Sequence, residues 1–127
     1  MRYVVLHHKN WPDHDDHYDL MLQMRAGETD DDRSLKTFAT GGDEFPAALL
    51  RLIDDHRQAY LHYEGPLSGE RGTVRRADEG ELRWITPYMT GSKDLRFEVK
   101  GKNLNGTFRL LHLGGDTYLF EKINRDS

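Results

Sequence analysis

Short runs that alternate apolar and polar residues, each cut off by a glycine- or asparagine-rich turn, recur along this chain. Leu95, Phe97 and Val99 alternate with Arg96, Glu98 and Lys100. Asn103-Leu104-Asn105-Gly106 then reads as a turn into a run at 107–113, and Gly114-Gly115-Asp116 as a turn into 117–123. A period of two places alternate side chains on opposite faces of an extended strand. Repeated at this spacing, it predicts an antiparallel sheet that closes, or nearly closes, on itself.

The first half fits the same frame. Residues 2–8 alternate as a strand, with Tyr3, Val5 and His7 on one face and Val4, Leu6 and His8 on the other. Residues 9–16 are polar and contain Pro12, which predicts a loop; Trp11 and Pro12 suggest that it is ordered. Residues 17–24 form a second strand, with His17, Asp19, Met21 and Gln23 sharing one face. The acidic stretch 25–33 is a solvated loop, and 34–40 a third strand. Asp43 is a candidate N-cap and Pro46 a first-turn residue. Ala47, Leu49, Leu50, Leu52 and Ile53 then carry a helical apolar pattern to about residue 54. Further strands are expected at 59–63, 72–76 and 81–86, the last two split by a turn at Asp78-Glu79-Gly80. The fold class is mostly β: a compact antiparallel β-barrel of about eight strands with one short helix. Residues 1–127 form a single domain, and the last four residues are expected to fray.

Composition narrows the chemistry. There are no cysteines, which excludes disulfides, thiolate metal sites and cysteine nucleophiles. A net charge of −4 argues against a generic nucleic-acid coat, which would be basic. It leaves room for an enzyme that meets only a strand end, and Arg71, Arg75 and Arg76 cluster locally. No apolar run approaches the roughly 20 residues of a membrane span. The N-terminus is too polar for a signal peptide, so a cytoplasmic, monomeric protein without a membrane partner is expected.

Four of the seven histidines lie at positions 7, 8, 14 and 17. His17 and Asp19, two residues apart on one strand face, offer an imidazole nitrogen and a carboxylate oxygen to a divalent metal. Only one of His7 and His8 can point to that side as a third ligand, and His14 is a local competitor. Two histidines and one carboxylate leave open positions for substrate, as catalytic metal centres do. A second cluster, running from His56 through Tyr60 to Gly65, offers an acid or base and a phenolic hydrogen-bond donor.

Several spaced segments together carry a resemblance. Tyr3-Val4-Val5-Leu6-His7-His8 leads through a loop to His17-Tyr18-Asp19-Leu20-Met21-Leu22-Gln23. Thr37-Phe38-Ala39 follows, then Asp55-His56-Arg57-Gln58-Ala59-Tyr60-Leu61-His62-Tyr63-Glu64-Gly65, then Gly69-Glu70-Arg71-Gly72-Thr73-Val74, and a closing pattern from Leu95 through Leu110. In this order they resemble the 3′-phosphoesterase domain of bacterial ligase D, a multidomain end-joining enzyme, and its small stand-alone relatives. The resemblance implies a compact β-barrel that uses a divalent metal, typically manganese, to trim 3′ ends of nucleic acid in DNA repair. A terminal ribonucleoside is removed first and the 3′-phosphate next. Matched position by position, it implies His8, His17 and Asp19 as metal ligands, and His56 and Tyr60 as the residues of phosphate binding and chemistry. The implied partners are DNA or DNA/RNA 3′ ends and ligase or polymerase repair proteins. Two positions depart from the pattern. Met21 stands where the family has an arginine, and the stretch Ala39-Thr40-Gly41-Gly42 lacks the family's lysine. Arg71 is a candidate to replace some of that charge. Two alternatives follow: a non-catalytic module that keeps the barrel and metal site while binding a nucleic-acid end or a protein, and a hydrolase of small phosphoesters.

Overall fold

A computed structural model describes residues 1–124; of the last four residues, expected to fray, 125–127 lie outside the described residues. Among the described residues the alternating runs become nine strands: β1 (Arg2–Lys9), β2 (His17–Gln23), β3 (Leu35–Thr40), β4 (Leu49–His56), β5 (Gly65–Pro66), β6 (Thr73–Trp84), β7 (Asp94–Gly101), β8 (Asn105–Gly114) and β9 (Thr117–Ile123). All pairings are antiparallel, in the order β1-β2-β3-β4-β9-β8-β7-β6-β5, and β1 pairs with β6. Eight strands therefore close into a barrel, and β5 adds a short ninth strand to β6. Closure leaves the eight-stranded ring without a free edge. Among the described residues no helix is long and apolar enough to cross a membrane.

The barrel interior draws on every strand of the ring. Tyr3, Val5, Leu20, Leu22, Phe38, Leu50, Leu82, Phe97, Val99, Leu110, Tyr118 and Phe120 all belong to one buried cluster. Aromatic rings stack within it: Phe108 lies 5.1 Å from Phe120 and 6.3 Å from Phe97 between ring centroids.

The residues between these on β1 and β2 are buried too, on the opposite face of the sheet. Val4, Leu6 and Met21 pack with Leu35, Val74 and Tyr60 into a second, smaller cluster. The cover comes from residues 57–72, which cross the outside of the barrel; Tyr60, Leu61 and Leu67 lie on the outward side chains of β1 and β2. This explains the unbroken apolar run Val4-Val5-Leu6, since a strand buried on both faces loses its alternation.

Three sequence expectations are corrected. The helix expected over 43–54 is absent, and strand β4 occupies its second half. A short apolar run does not distinguish helix from strand by periodicity. Here β3 and β9 both need a partner to close the ring, and β4 supplies it, pairing with each. The strand expected over 59–63 is a single 3₁₀ turn, Gln58–Leu61, the only helical segment among the described residues. Its backbone is tied to the acidic loop, where Gln58 N–H donates to Asp32 O and Ala59 N–H to Asp30 O. Finally, the two strands expected at 72–76 and 81–86 are one strand, β6. Its Asp78 is not in a turn but buried at an irregularity in the β1–β6 register.

Candidate metal centre

His8 and His17 are directly opposite one another in the β1–β2 pair. Asp19 follows two residues along β2, so pleating returns it to the same face. One ligand atom from each of His8, His17 and Asp19 lies within 4.8 Å of the others, and the three could hold a metal ion. His17 Nε2 is 3.4 Å from Asp19 Oδ1, and His8 Nδ1 is 3.9 Å from Asp19 Oδ2. This is the face chosen for His17 and Asp19 from alternation, and of the two adjacent histidines it is His8 that shares it.

The donor set fits a cation on three counts. His8 Nε2 lies 2.6 Å from the backbone oxygen of Arg71. A carbonyl only accepts, so Nε2 carries the proton and Nδ1 keeps its lone pair for a ligand. His17 Nδ1 lies 3.0 Å from Asp15 O, which by the same reasoning frees Nε2. Each imidazole is thus held by a backbone carbonyl in the tautomer a metal requires. Third, Asp19 Oδ1 is buried without a hydrogen-bond partner, and a buried carboxylate oxygen needs a positive partner.

Local geometry maintains these contacts. Gly72 adopts φ +84°, and a side chain there would run into the backbone of Lys9, Asn10 and Trp11. Its absence lets the 69–72 segment lie against the end of β1, where the Arg71 carbonyl reaches His8. In the loop between the histidines, Asn10 N–H donates to Asp16 Oδ1 and His14 N–H to Trp11 O. Trp11 stacks on both His8 (5.1 Å) and His14 (3.7 Å), so the loop is ordered as expected. His14 lies outside the ligand group. His7 faces the other way, stacked on Tyr18 at 4.1 Å with Nε2 2.5 Å from Asp43 Oδ1.

The three ligand residues line a cavity of about 520 Å³ together with His56, Tyr60, Arg71 and Met21. His8, His17, Asp19, His56, Tyr60 and Arg71 therefore meet here, drawn from β1, β2, the end of β4, the 3₁₀ turn and the 69–72 segment. His56 Nδ1–H donates to Asp54 O at 2.7 Å, which leaves Nε2 free. The His56 and Tyr60 rings meet edge to face at 5.6 Å. The Arg71 guanidinium is drawn to Ser68, donating to its carbonyl and hydroxyl oxygens. Met21 is 1% exposed within the outer apolar cluster.

Sequence reasoning missed Arg51, which also lines the cavity. In the cross-strand register Asp19 pairs with Ala39, and Ala39 with Arg51, so the three share one face. The signal was concealed by the helical reading of 43–54; read as a strand, that segment puts Arg51 and Ile53 on the face opposite Leu50 and Leu52.

The pKa values of the two imidazoles are shifted in opposite directions. Burial, the largest influence on His8, pushes its pKa down. The neighbouring Asp19 carboxylate leads in pushing the His17 pKa up, against burial and the charge of Arg51. Below that raised pKa, in the metal-free protein, a second proton on His17 Nε2 occupies the lone pair that a metal would take. Metal affinity should therefore fall as pH drops through the raised His17 pKa, by about tenfold per pH unit, and level off above it. Calorimetric Mn²⁺ titrations at a series of pH values test this, and an affinity flat across the titration of His17 would rule out His17 Nε2 as a ligand.

A scan against protein-family models finds no match to this chain, and a search of curated proteins finds none either.

Proposed function

We propose that this chain is a metal-dependent phosphoesterase that trims 3′ ends of nucleic acid, removing a 3′-ribonucleoside and a 3′-phosphate in DNA repair, with Mn²⁺ as its metal. The observation that carries this reading is the convergence, in one cavity, of His8, His17 and Asp19 with His56 and Tyr60. Bound by the first three, a divalent ion would supply Lewis acidity toward a phosphoryl oxygen. His56, its Nδ1 proton committed to the Asp54 carbonyl, has Nε2 free to exchange a proton with the reacting group. Tyr60, held by burial against the outer cluster, offers a fixed hydroxyl donor to the same group. A nucleic-acid 3′ end as substrate, ligase or polymerase partners and a cytoplasmic setting belong to the same proposal.

The test offers purified protein Mn²⁺ and two primers, one ending in a single 3′-ribonucleotide and one in a 3′-phosphate. Both should be trimmed, and chelation should stop the reaction. His56→Ala should lower kcat by about 10²-fold or more while leaving Mn²⁺ affinity nearly unchanged. Met21, apolar and buried where the resemblance implies an arginine, favours a second reading, a module that binds the end without cleaving it. Tight primer binding with no product from either substrate would establish that reading and overturn catalysis.

A further inference from the structure

We propose that Arg51 is the anion-binding residue of this cavity, receiving the terminal phosphate of the substrate that Met21 cannot hold. The inference rests on the phosphoesterase reading and deepens it.

Arg51 sits on β4, on the cavity side of the sheet, with only the small Ala39 between it and Asp19 in the cross-strand row. A side chain no larger than a methyl at that position leaves the space above it open. The guanidinium can therefore extend over Ala39 toward the ligand group.

The other arginine of this cavity, Arg71, is held by Ser68. Outside the cavity Arg76, Arg83, Arg96 and Arg109 each pair with a carboxylate. Among the described residues the Arg51 guanidinium has neither ion pair nor hydrogen bond, although Asp15 and Asp54 line the same cavity. An uncommitted guanidinium facing a concave site is ready for bidentate contact with a phosphate.

Charge balance supports the same assignment. Asp19 cancels one of the two positive charges of a divalent ion held between His8 and His17, leaving a single net charge. A phosphate monoester carries about −1.5 to −2 at neutral pH. Arg51 supplies the missing positive charge, which the barrel's apolar Met21 does not.

The test measures binding of inorganic phosphate to the Mn²⁺-loaded protein by calorimetry, alongside turnover of the 3′-phosphate primer. Arg51→Gln should weaken phosphate binding by about tenfold or more and raise KM for the primer, with Mn²⁺ affinity retained. Arg51→Lys, which keeps charge but loses the fork, should fall between. Arg51 is solvent-exposed, so these variants should fold, and an unchanged thermal transition will show that they do. Equal phosphate affinity in wild type and Arg51→Gln would overturn the inference, as would no phosphate binding by the wild type. Arg51-dependent phosphate binding without turnover of any primer would uphold the inference and overturn the activity. Turnover with KM and phosphate affinity untouched by Arg51→Gln would do the reverse.

Discussion

Asp19→Asn will abolish the stabilisation of this protein by Mn²⁺ while leaving the metal-free protein as stable as the wild type, or more so. The substitution keeps shape and removes charge. In the metal-free state the Asp19 carboxylate is 3% exposed, faces two imidazoles, and has one oxygen with no hydrogen-bond partner. A buried carboxylate in that condition carries a desolvation cost, and a neutral amide relieves it. With metal, the balance reverses. A ligand that binds only the folded state at 100 times its Kd adds about 2.7 kcal/mol, which for a chain of this size raises Tm by about 10 °C. In Asp19→Asn that rise should shrink to almost nothing and Mn²⁺ affinity should drop by more than about 10²-fold. Trimming of the 3′-ribonucleotide primer should disappear with it. Thermal scans with and without Mn²⁺ read the effect without depending on any substrate. A full Mn²⁺-dependent rise in the variant would place the metal elsewhere and remove the basis of the proposed chemistry.

The contrast between Asp19 and Arg51 shows how far one chain's pattern reaches. His17 and Asp19 are two apart on a strand whose alternation is clear, so their common face follows from pleating alone. Choosing His8 over His7 required knowing which face of β1 meets His17, and residue types do not state that; the family resemblance did. Arg51 was concealed because 47–53 is rich in alanine and leucine, which favour helix locally. What makes it a strand is the gap between β3 and β9, a property of the closed ring that no local window contains. The cover over the outer face was hidden for the same reason. Residues 57–72 carry no strong periodicity, and their role is to bury Val4, Leu6 and Met21 from outside while placing Tyr60 and the Arg71 carbonyl at the site. The sequence reads Asp78-Glu79-Gly80 as a turn because those residue types usually make one; buried partners far along the chain decide otherwise.

Asp78→Ala should be the most destabilising single polar substitution in the barrel, at about 3–5 kcal/mol. Asp78 is 4% exposed and accepts three hydrogen bonds. Its Oδ2 takes the Tyr3 hydroxyl proton at 2.7 Å and Leu104 N–H at 2.9 Å, and Oδ1 takes Asn103 N–H at 3.0 Å. One side chain on β6 thereby ties β1 to the turn between β7 and β8 at the seam where the barrel closes. Tyr3 is itself fully buried, and burial, then the bond to Asp78, holds its hydroxyl protonated far above the ordinary tyrosine range. Truncation to alanine strands three donors, each costing about 1–3 kcal/mol when left unpaired in the interior. Water entering the vacated space would recover part of that cost, which keeps the total below the simple sum. The loss should appear as a fall in Tm of about 10–20 °C. Tyr3→Phe removes one donor together with its need for a partner, so it should cost much less. The double variant should cost less than the two single losses added together, because both act on one network. A drop of only a degree or two in Asp78→Ala would show that the seam does not depend on this carboxylate. The Mn²⁺-dependent rise in Tm should survive in the variant. His8, His17 and Asp19 lie on the other side of the β1–β6 irregularity from Asp78, paired through a β1–β2 register that shows no irregularity of its own.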